Sequence, residues 1–358
     1  MKEDYLYWIW LNELKGIGPV TAKKLLSRLV TPERIYNATK EEIRGLEDIG
    51  DKLVEVIIQS KDLNSAKRII EECKKQNIDI VTYEEKEFPS GIKSYPNMPI
   101  LLYYKGNLYE DVSGVAIVGS RRCSDYGKQV TVEAAKFLAE NKIPVISGMA
   151  KGIDSYAHTA CIKSGGYTMA FLGCGLDICY PKEHYELMKS IVETGVIISE
   201  YAPGVTPSPQ NFPKRNRLIS ACCQKILTVE AGEKSGALIT AEYAKEQNKE
   251  VFAVPNSIYS KESKGTNKLI SEGASIYLNT SQLIINNTMN FVSEKRLKNK
   301  SSYITDEERH ILTIIKSKAY TIDEIIVLLK VDKSIILDTL FSMELEGKVK
   351  CVGGKYFS

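Results

Sequence analysis

The chain has 358 residues, 43% hydrophobic and 26% charged, with a formal net charge of +3. That length accommodates two or three domains, and no apolar run approaches the ~18 residues of a membrane span, nor does Met1-Lys2-Glu3-Asp4 have the basic-then-apolar layout of a signal peptide. The expectation is a cytoplasmic protein with no membrane partner and no cofactor, whose eight cysteines, lacking any Cys-x-x-Cys pair, are thiols rather than disulfides or metal ligands.

The mild positive charge neither demands nor excludes nucleic acid, because a local basic patch matters more than the total. Taken in order, the first seventy or so residues read as helical. They carry two short glycine turns, Lys15-Gly16-Ile17-Gly18-Pro19 and Glu47-Asp48-Ile49-Gly50-Asp51, each followed by a helix of apolar period. Gly-x-Gly between helices resembles helix-hairpin-helix (SAM-like) modules, in which turn amides face a phosphate. A compact helical bundle with tight turns is the plainer reading, since Asp48 and Asp51 put the wrong charge at the second turn. Residues 1–76 are assigned to this helical N-terminal domain. Ile78 to Gly106 is aromatic and proline-bearing, and its strand-like Ile100 to Tyr104 is expected to add an edge to a sheet or pack across it.

Residues 77–280 form the core. Gly114 to Gly119 is a short uncharged run with β-branched residues, the pattern of a strand buried on both faces. A polar turn and a helix from Tyr126 to Asn141 follow. The cycle repeats through strand Val145 to Ser147 and a helix through His158, then strand Thr168 to Leu172 and a helix around Glu183 to Val192. Strands Val196 to Ser199, Ile226 to Val229 and Val251 to Val254 complete it, with a helix from Ala237 to Gln247 between the last two. Such alternation predicts an α/β fold, a parallel-sheet core with helices on both faces. Ligands of such sheets bind beyond the carboxyl ends of the strands, near a switch point.

Residues 281–302, within a stretch rich in Asn and Lys, are the linker expected from composition. A winged-helix C-terminal domain is assigned to 303–358. Thr305-Asp306-Glu307-Glu308 caps one helix, Thr321-Ile322-Asp323-Glu324 opens a second by the capping-box pattern, and a third runs from about Lys333 to Glu346. Gly347 to Tyr356 alternates like a hairpin through Gly353-Gly354. Three helices and a hairpin outline a winged helix. Its third helix carries Ile335, Ile336, Leu337, Leu340 and Phe341 and few basic positions, so protein contact is as good a reading as DNA contact.

Five stretches of the core carry chemistry. Gly119-Ser120-Arg121-Arg122 puts backbone amides, a hydroxyl and a guanidinium at a strand-to-helix turn, the parts that hold a phosphate. Gly-x-Gly-x-x-Gly is absent there, which disfavours NAD or FAD. Ser147 to Asp154 is a second glycine turn leading to His158, for which a buried, satisfied imidazole is preferred over a catalytic one. Third come Leu172-Gly173-Cys174-Gly175 and Tyr180-Pro181. Asn211-Phe212-Pro213-Lys214-Arg215-Asn216-Arg217 is the densest basic cluster of the core, with an aromatic inside it. Cations neutralise phosphates while a ring stacks on an unpaired base, the arrangement that single-stranded nucleic acid asks for; a solvated helix start is the plainer alternative. Glu230 to Thr240 is a loop and helix N-terminus suited to an anion.

Together, in this order, these stretches resemble the DNA processing protein A family (DprA, also called Smf), over nearly the whole chain. Phe88-Pro89, Lys105-Gly106, Ser199-Glu200, Val229-Glu230-Ala231, Val254-Pro255 and Gly265-Thr266-Asn267 belong to the same resemblance. The family implies an extended Rossmann-like core that binds single-stranded DNA, dimerises through that core and loads the RecA recombinase onto DNA taken up in natural transformation. The resemblance makes Gly119, Ser120 and Arg121 part of a DNA pocket and extends the interface to Phe212, Lys214, Arg215 and Arg217. Glu200 and Glu230 compete for Arg217, and Asn216 reads as structural. The chain departs from the family pattern at Asn256, where Gly usually follows Val254-Pro255.

The core also resembles, more distantly, lysine-decarboxylase-like nucleotide phosphoribohydrolases, whose Pro-Gly-Gly-x-Gly-Thr-x-x-Glu loop corresponds to Ala231 to Ala237. The Pro, second Gly, Thr and catalytic Glu of that loop are missing, and no carboxylate follows in Ala237-Leu238-Ile239-Thr240. Those absences disfavour hydrolysis, and a nucleotide-binding or nucleotide-hydrolysing enzyme stands as the alternative to a non-catalytic DNA-binding protein.

Overall fold

The computed structural model describes residues 4–46, 49–285, 306–316, 318–331, 333–345, 348–352 and 354–357. The chain divides into two compact units, Met1–Asn290 and Phe291–Ser358. Glu47 and Asp48 of the second glycine turn, most of the 281–302 linker, Thr305, Glu346, Gly347 and Gly353 lie outside the described residues.

The first unit opens with helices α1 (Tyr5–Glu13), α2 (Pro19–Leu29), α3 (Pro32–Asn37), α4 (Lys40–Arg44), α5 (Asp51–Gln59) and α6 (Asn64–Lys75). Their apolar faces do not close on themselves alone. Trp8, Ile9 and Leu11 share one buried cluster with Ile80, Leu101, Tyr103 and Ile197 of the sheet, so the helices form a layer on it. Two polar ties cross the same seam: the Tyr5 hydroxyl donates to Glu85 at 2.9 Å and the Lys23 ammonium to the Tyr95 carbonyl at 2.8 Å.

Nine strands, among the described residues, make the sheet: β1 (Asp79–Thr82), β2 (Leu101–Gly106), β3 (Gly114–Val118), β4 (Val145–Ser147), β5 (Thr168–Leu172), β6 (Val196–Ser199), β7 (Cys223–Thr228), β8 (Glu250–Ala253) and β9 (Ser275–Ile276). Their order is β1-β2-β6-β5-β4-β3-β7-β8-β9. From β6 to β9 every ladder is parallel, and β3 and β5 are buried along their whole length. The other edge is different. β2 runs antiparallel to β6, with Tyr103 opposite Ser199, and β1 pairs antiparallel outside it. The Ile100 to Tyr104 run therefore lies one strand in from the edge, because the short Asp79–Thr82 segment takes up its remaining backbone groups.

Helices α7 (Ser90–Lys93), α8 (Asp125–Glu140), α9 (Ile153–Lys163), α10 (Tyr185–Thr194), α11 (Asn211–Cys222), α12 (Gly236–Glu246) and α13 (Lys264–Ser271) complete the unit. Ala134, Leu138, Ala157 and Cys161 bury against Val115, Ile117 and Val145. Leu283 and Ile285 join that cluster, so the first residues assigned to the linker by their polar surroundings belong to the core. After β3 the chain turns toward β4, and after β7 it turns the opposite way toward β8. The loops following β3 and β7 must then part, and a crevice opens between them.

The second unit is the winged-helix domain: α14 (Asp306–Ile315), β10 (Tyr320–Thr321), α15 (Ile322–Leu329), α16 (Lys333–Leu345), β11 (Lys350–Val352) and β12 (Lys355–Phe357). Among the described residues its three strands are ordered β10-β12-β11, with a core of Ile311, Ile315, Ile325, Ile336, Leu340 and Met343. The Thr321 and Glu324 capping box is formed, each side chain bonded to the other residue's backbone amide.

Candidate nucleic-acid interface

The crevice between β3 and β7 is a cleft of about 570 Å³. Gly119 opens its floor: a Cβ there would come within 2.6 Å of Ile153 Cγ1, so only glycine lets the turn pass over the start of α9. The Ser120 hydroxyl accepts the Arg122 amide at 3.1 Å and lies 3.0 Å from both the Arg122 carbonyl and Glu262 Oε2, to one of which it donates. Behind the turn the buried Glu230 carboxylate accepts the Ser124 amide at 2.9 Å and its hydroxyl at 2.5 Å, and Ser124 in turn caps α8. The loop is thus pinned at both ends, and Arg121 leaves it exposed.

The guanidinium carbon of Arg121 stands 5.6 Å from the centroid of the half-buried Phe212 ring, within cation–π range. Phe212 is stacked against Tyr180 with centroids 5.4 Å apart and planes 29° from parallel. Residues that follow two strands, β3 and β5, and one from the start of α11 meet here.

Of the residues singled out by sequence, Gly119, Ser120, Arg121, Phe212 and Arg215 line the cleft, and Lys214 and Arg217 are not among its lining residues. Arg215 lies only 4% exposed beneath the others. Its Nη1 donates to the carbonyls of Gly148, at 2.7 Å, and Phe171, and its Nε to Asn216 Oδ1 at 3.2 Å. Gly148 admits it, since a Cβ at that position would sit 2.6 Å from the guanidinium carbon. Burial pulls the Arg215 pKa down, opposed by the carboxylate of Asp154. Burial pushes Asp154 up, opposed by Arg215 and by the amides of Ala150 and Gly148, which donate to its Oδ2. Arg217 forms an ion pair with Glu200 at 2.5 Å, both side chains 13% exposed, and Asn216 donates to the Gly236 carbonyl at 3.1 Å. Lys214 is exposed.

The other polar lining side chains come from stretches singled out by sequence, except Glu262, which lies in none of them. Asp154 and Glu262 bring two carboxylates to the cleft although none lies in the four residues after Gly236. Lys234 and Ser235 reach it at the start of α12, where Ser235 accepts the Ala237 amide. Tyr180 was visible only as part of an ordered motif set. His158 is fully buried; Thr168 Oγ1, which donates to the Val145 carbonyl at 2.8 Å, accepts from its Nδ1 at 2.7 Å. Burial, with His184 and Arg215 nearby, holds its pKa down at about 3, so the imidazole is neutral near pH 7 and is not among the cleft-lining residues.

The arrangement can therefore hold an anion at an exposed arginine beside an aromatic stack. A family model for the DNA recombination-mediator protein A matches residues 79–288, a SAM-like helix-hairpin-helix tandem matches 11–60 and a DprA winged-helix domain matches 299–355. Protein Smf of Synechocystis is 36% identical over 286 residues, 78% of this chain and 72% of that protein. The X-ray structure of DprA from Streptococcus pneumoniae is similar with a TM-score of 0.68 and 32% identity, covering 77% of this chain and 95% of that one. DNA processing protein A of Helicobacter pylori, described for its single-stranded DNA binding mode, is similar with a TM-score of 0.52 and 29% identity, covering 58% and 94%.

Proposed function

The chain belongs to the DNA recombination-mediator protein A (DprA/Smf) family, and on that premise we propose that it is a non-catalytic single-stranded DNA-binding protein of natural transformation. The observation that carries this is Arg121, an exposed guanidinium on a pinned loop at the switch-point cleft, set against the Phe212 and Tyr180 rings. Arginine and turn amides bind phosphate through charge-assisted hydrogen bonds, and an aromatic face takes an unpaired base that a duplex does not offer. Both cleft carboxylates are already engaged, Asp154 by two amides and Glu262 near the Ser120 hydroxyl. That favours binding over hydrolysis.

The protein acts as a homodimer and loads RecA recombinase on the strand it holds. For the dimer, support comes from the end of the sheet at β9, where Ile276 and, in the segment after it, Leu278 and Ile284 are 44%, 74% and 42% exposed. Exposed apolar side chains gathered at one end of a sheet favour packing against another chain. Two linked DNA sites would then gain from effective concentration. Sedimentation of the intact protein and of Leu278→Lys checks this: a dimer that the substitution dissociates is expected, and a monomeric intact protein overturns it. Shortening of the RecA nucleation lag on single-stranded DNA is the corresponding check on loading.

For the DNA reading itself, fluorescence anisotropy with labelled oligo-dT and a matched duplex, over a salt series, compares the intact protein with Arg121→Ala. Preference for the single strand, an affinity that falls with salt through counterion release, and a large loss in Arg121→Ala are expected. Equal binding by both proteins, or binding to neither DNA, would sink the assignment.

A further inference from the structure

The ring that meets a base need not be the one in the basic cluster. Phe212 is half-buried and has three neighbours at its ring: Tyr180 at 5.4 Å, the Arg121 guanidinium at 5.6 Å and that of Arg215 at 5.9 Å. Little of that ring remains for a ligand. Tyr180, which lines the same cleft, is 42% exposed.

Its exposure is not that of a loose tip. On the amino side of Tyr180, Leu176 is fully buried, the Gly175 amide donates to the Val205 carbonyl at 2.9 Å, and both Asp177 carboxylate oxygens accept the Gly204 amide at 3.0 Å. On its carboxyl side the His184 amide donates to the Pro181 carbonyl at 3.1 Å, and His184 Nδ1 to the Met149 carbonyl at 3.0 Å. A large ring held on a loop fastened at both ends, with one side on Phe212 and much of its surface in water, loses hydrophobic stabilisation that folding alone does not recover. It is pre-organised for a planar partner, which then binds with little ordering cost.

We propose that Tyr180 is the stacking platform for an unpaired nucleobase, with Phe212 as the support beneath it and Arg121 beside it for the phosphate. This rests on the single-stranded DNA reading above and names the residue through which that site takes a base. The stack Arg215, Phe212, Tyr180 then continues outward by one more planar group. Because every base has a π-face, the platform is tolerant of sequence and selects for unpaired strands.

The test uses the full chain and an oligonucleotide carrying a single 2-aminopurine, whose emission is quenched by stacking, together with the same oligonucleotide made abasic at that position. Intact protein, Tyr180→Phe, Tyr180→Leu and Phe212→Leu are compared. The expected result is strong quenching and near-intact affinity for Tyr180→Phe, and for Tyr180→Leu loss of quenching with affinity roughly ten- to a hundred-fold weaker. On the abasic strand Tyr180→Leu and the intact protein should bind alike, which also shows that the leucine variant keeps its site. If Tyr180→Leu retains affinity and quenching while Arg121→Ala does not bind, the platform is elsewhere and the DNA reading stands. Quenching lost in Phe212→Leu but kept in Tyr180→Leu puts the base on Phe212 and overturns the proposal. Failure of the intact protein to bind single strands overturns both.

Discussion

Two arginine-bearing segments converge on one cleft and do opposite things. In the turn after β3, Arg121 is exposed and packs only its face against a ring. On α11, within three positions of one another, Lys214 faces solvent, Arg215 is buried on two carbonyls and an amide oxygen, and Arg217 is paired with Glu200. The denser basic cluster is thus the poorer source of free positive charge. An arginine whose donors are already accepted inside the protein is part of the framework, since withdrawing it for a phosphate would leave buried acceptors unpaired.

The sharpest way to break this comparison is to remove each arginine and ask what is lost. Arg215→Met should cost about 3–5 kcal/mol of stability, because it leaves two buried carbonyls without their donor and removes the positive charge that offsets the burial of Asp154; a chemical denaturation curve matching the intact protein's would show that the buried side of the comparison is misjudged. Arg121→Ala should do the reverse. Its unfolding midpoint stays within about 0.5 kcal/mol of the intact protein's, as for surface positions, while single-strand affinity falls roughly ten- to a hundred-fold, the worth of a hydrogen bond to a charged group.

His158 extends the buried side to a titratable group. Its folded pKa of about 3 lies below the ordinary 6.5, so between these values the unfolded chain binds the proton and the folded one does not. Stability should fall as pH drops below 6.5, by about 1.4 kcal/mol per pH unit for that one proton. His184, also lowered by burial, acts with the same sign, and Asp154, raised by burial, with the opposite one. The quantity to measure is therefore the difference in slope between the intact protein and His158→Gln from pH 6.5 to 5, where the variant should be flatter. The smallest effect belongs to Lys214→Ala. If this exposed cation meets a phosphate, the slope of log affinity against log salt shrinks by about 0.7 for a single strand, with stability unchanged; an unaltered slope removes Lys214 from the interface.

Much of this was legible in the chain because the signals are local. The uncharged run ending at Val118, the Gly-Ser-Arg turn after it and the repeated strand–helix cycle lie among neighbouring residues, and periodicity records which face of each element is apolar. The capping box at Thr321 needs only Glu324, three residues on. The two edges were harder: β1 has four residues and β9 two, too few for a period to show, and their pairing depends on which edge has free backbone groups.

The chain by itself determined where strands end in glycine turns, which turn carries an arginine, and the family to which the ordered motifs are similar. Only the tertiary structure decided which cations remain available. Arg215 is satisfied by carbonyls 67 and 44 residues away, Ser120 meets Glu262 at a separation of 142, and Phe212 finds Tyr180 across two elements. The physical reason is that helix and strand periods arise from the backbone's own geometry over a few residues. Burial and hydrogen-bond satisfaction are properties of whatever the fold brings alongside, and at this cleft they separate a structural arginine from a free one.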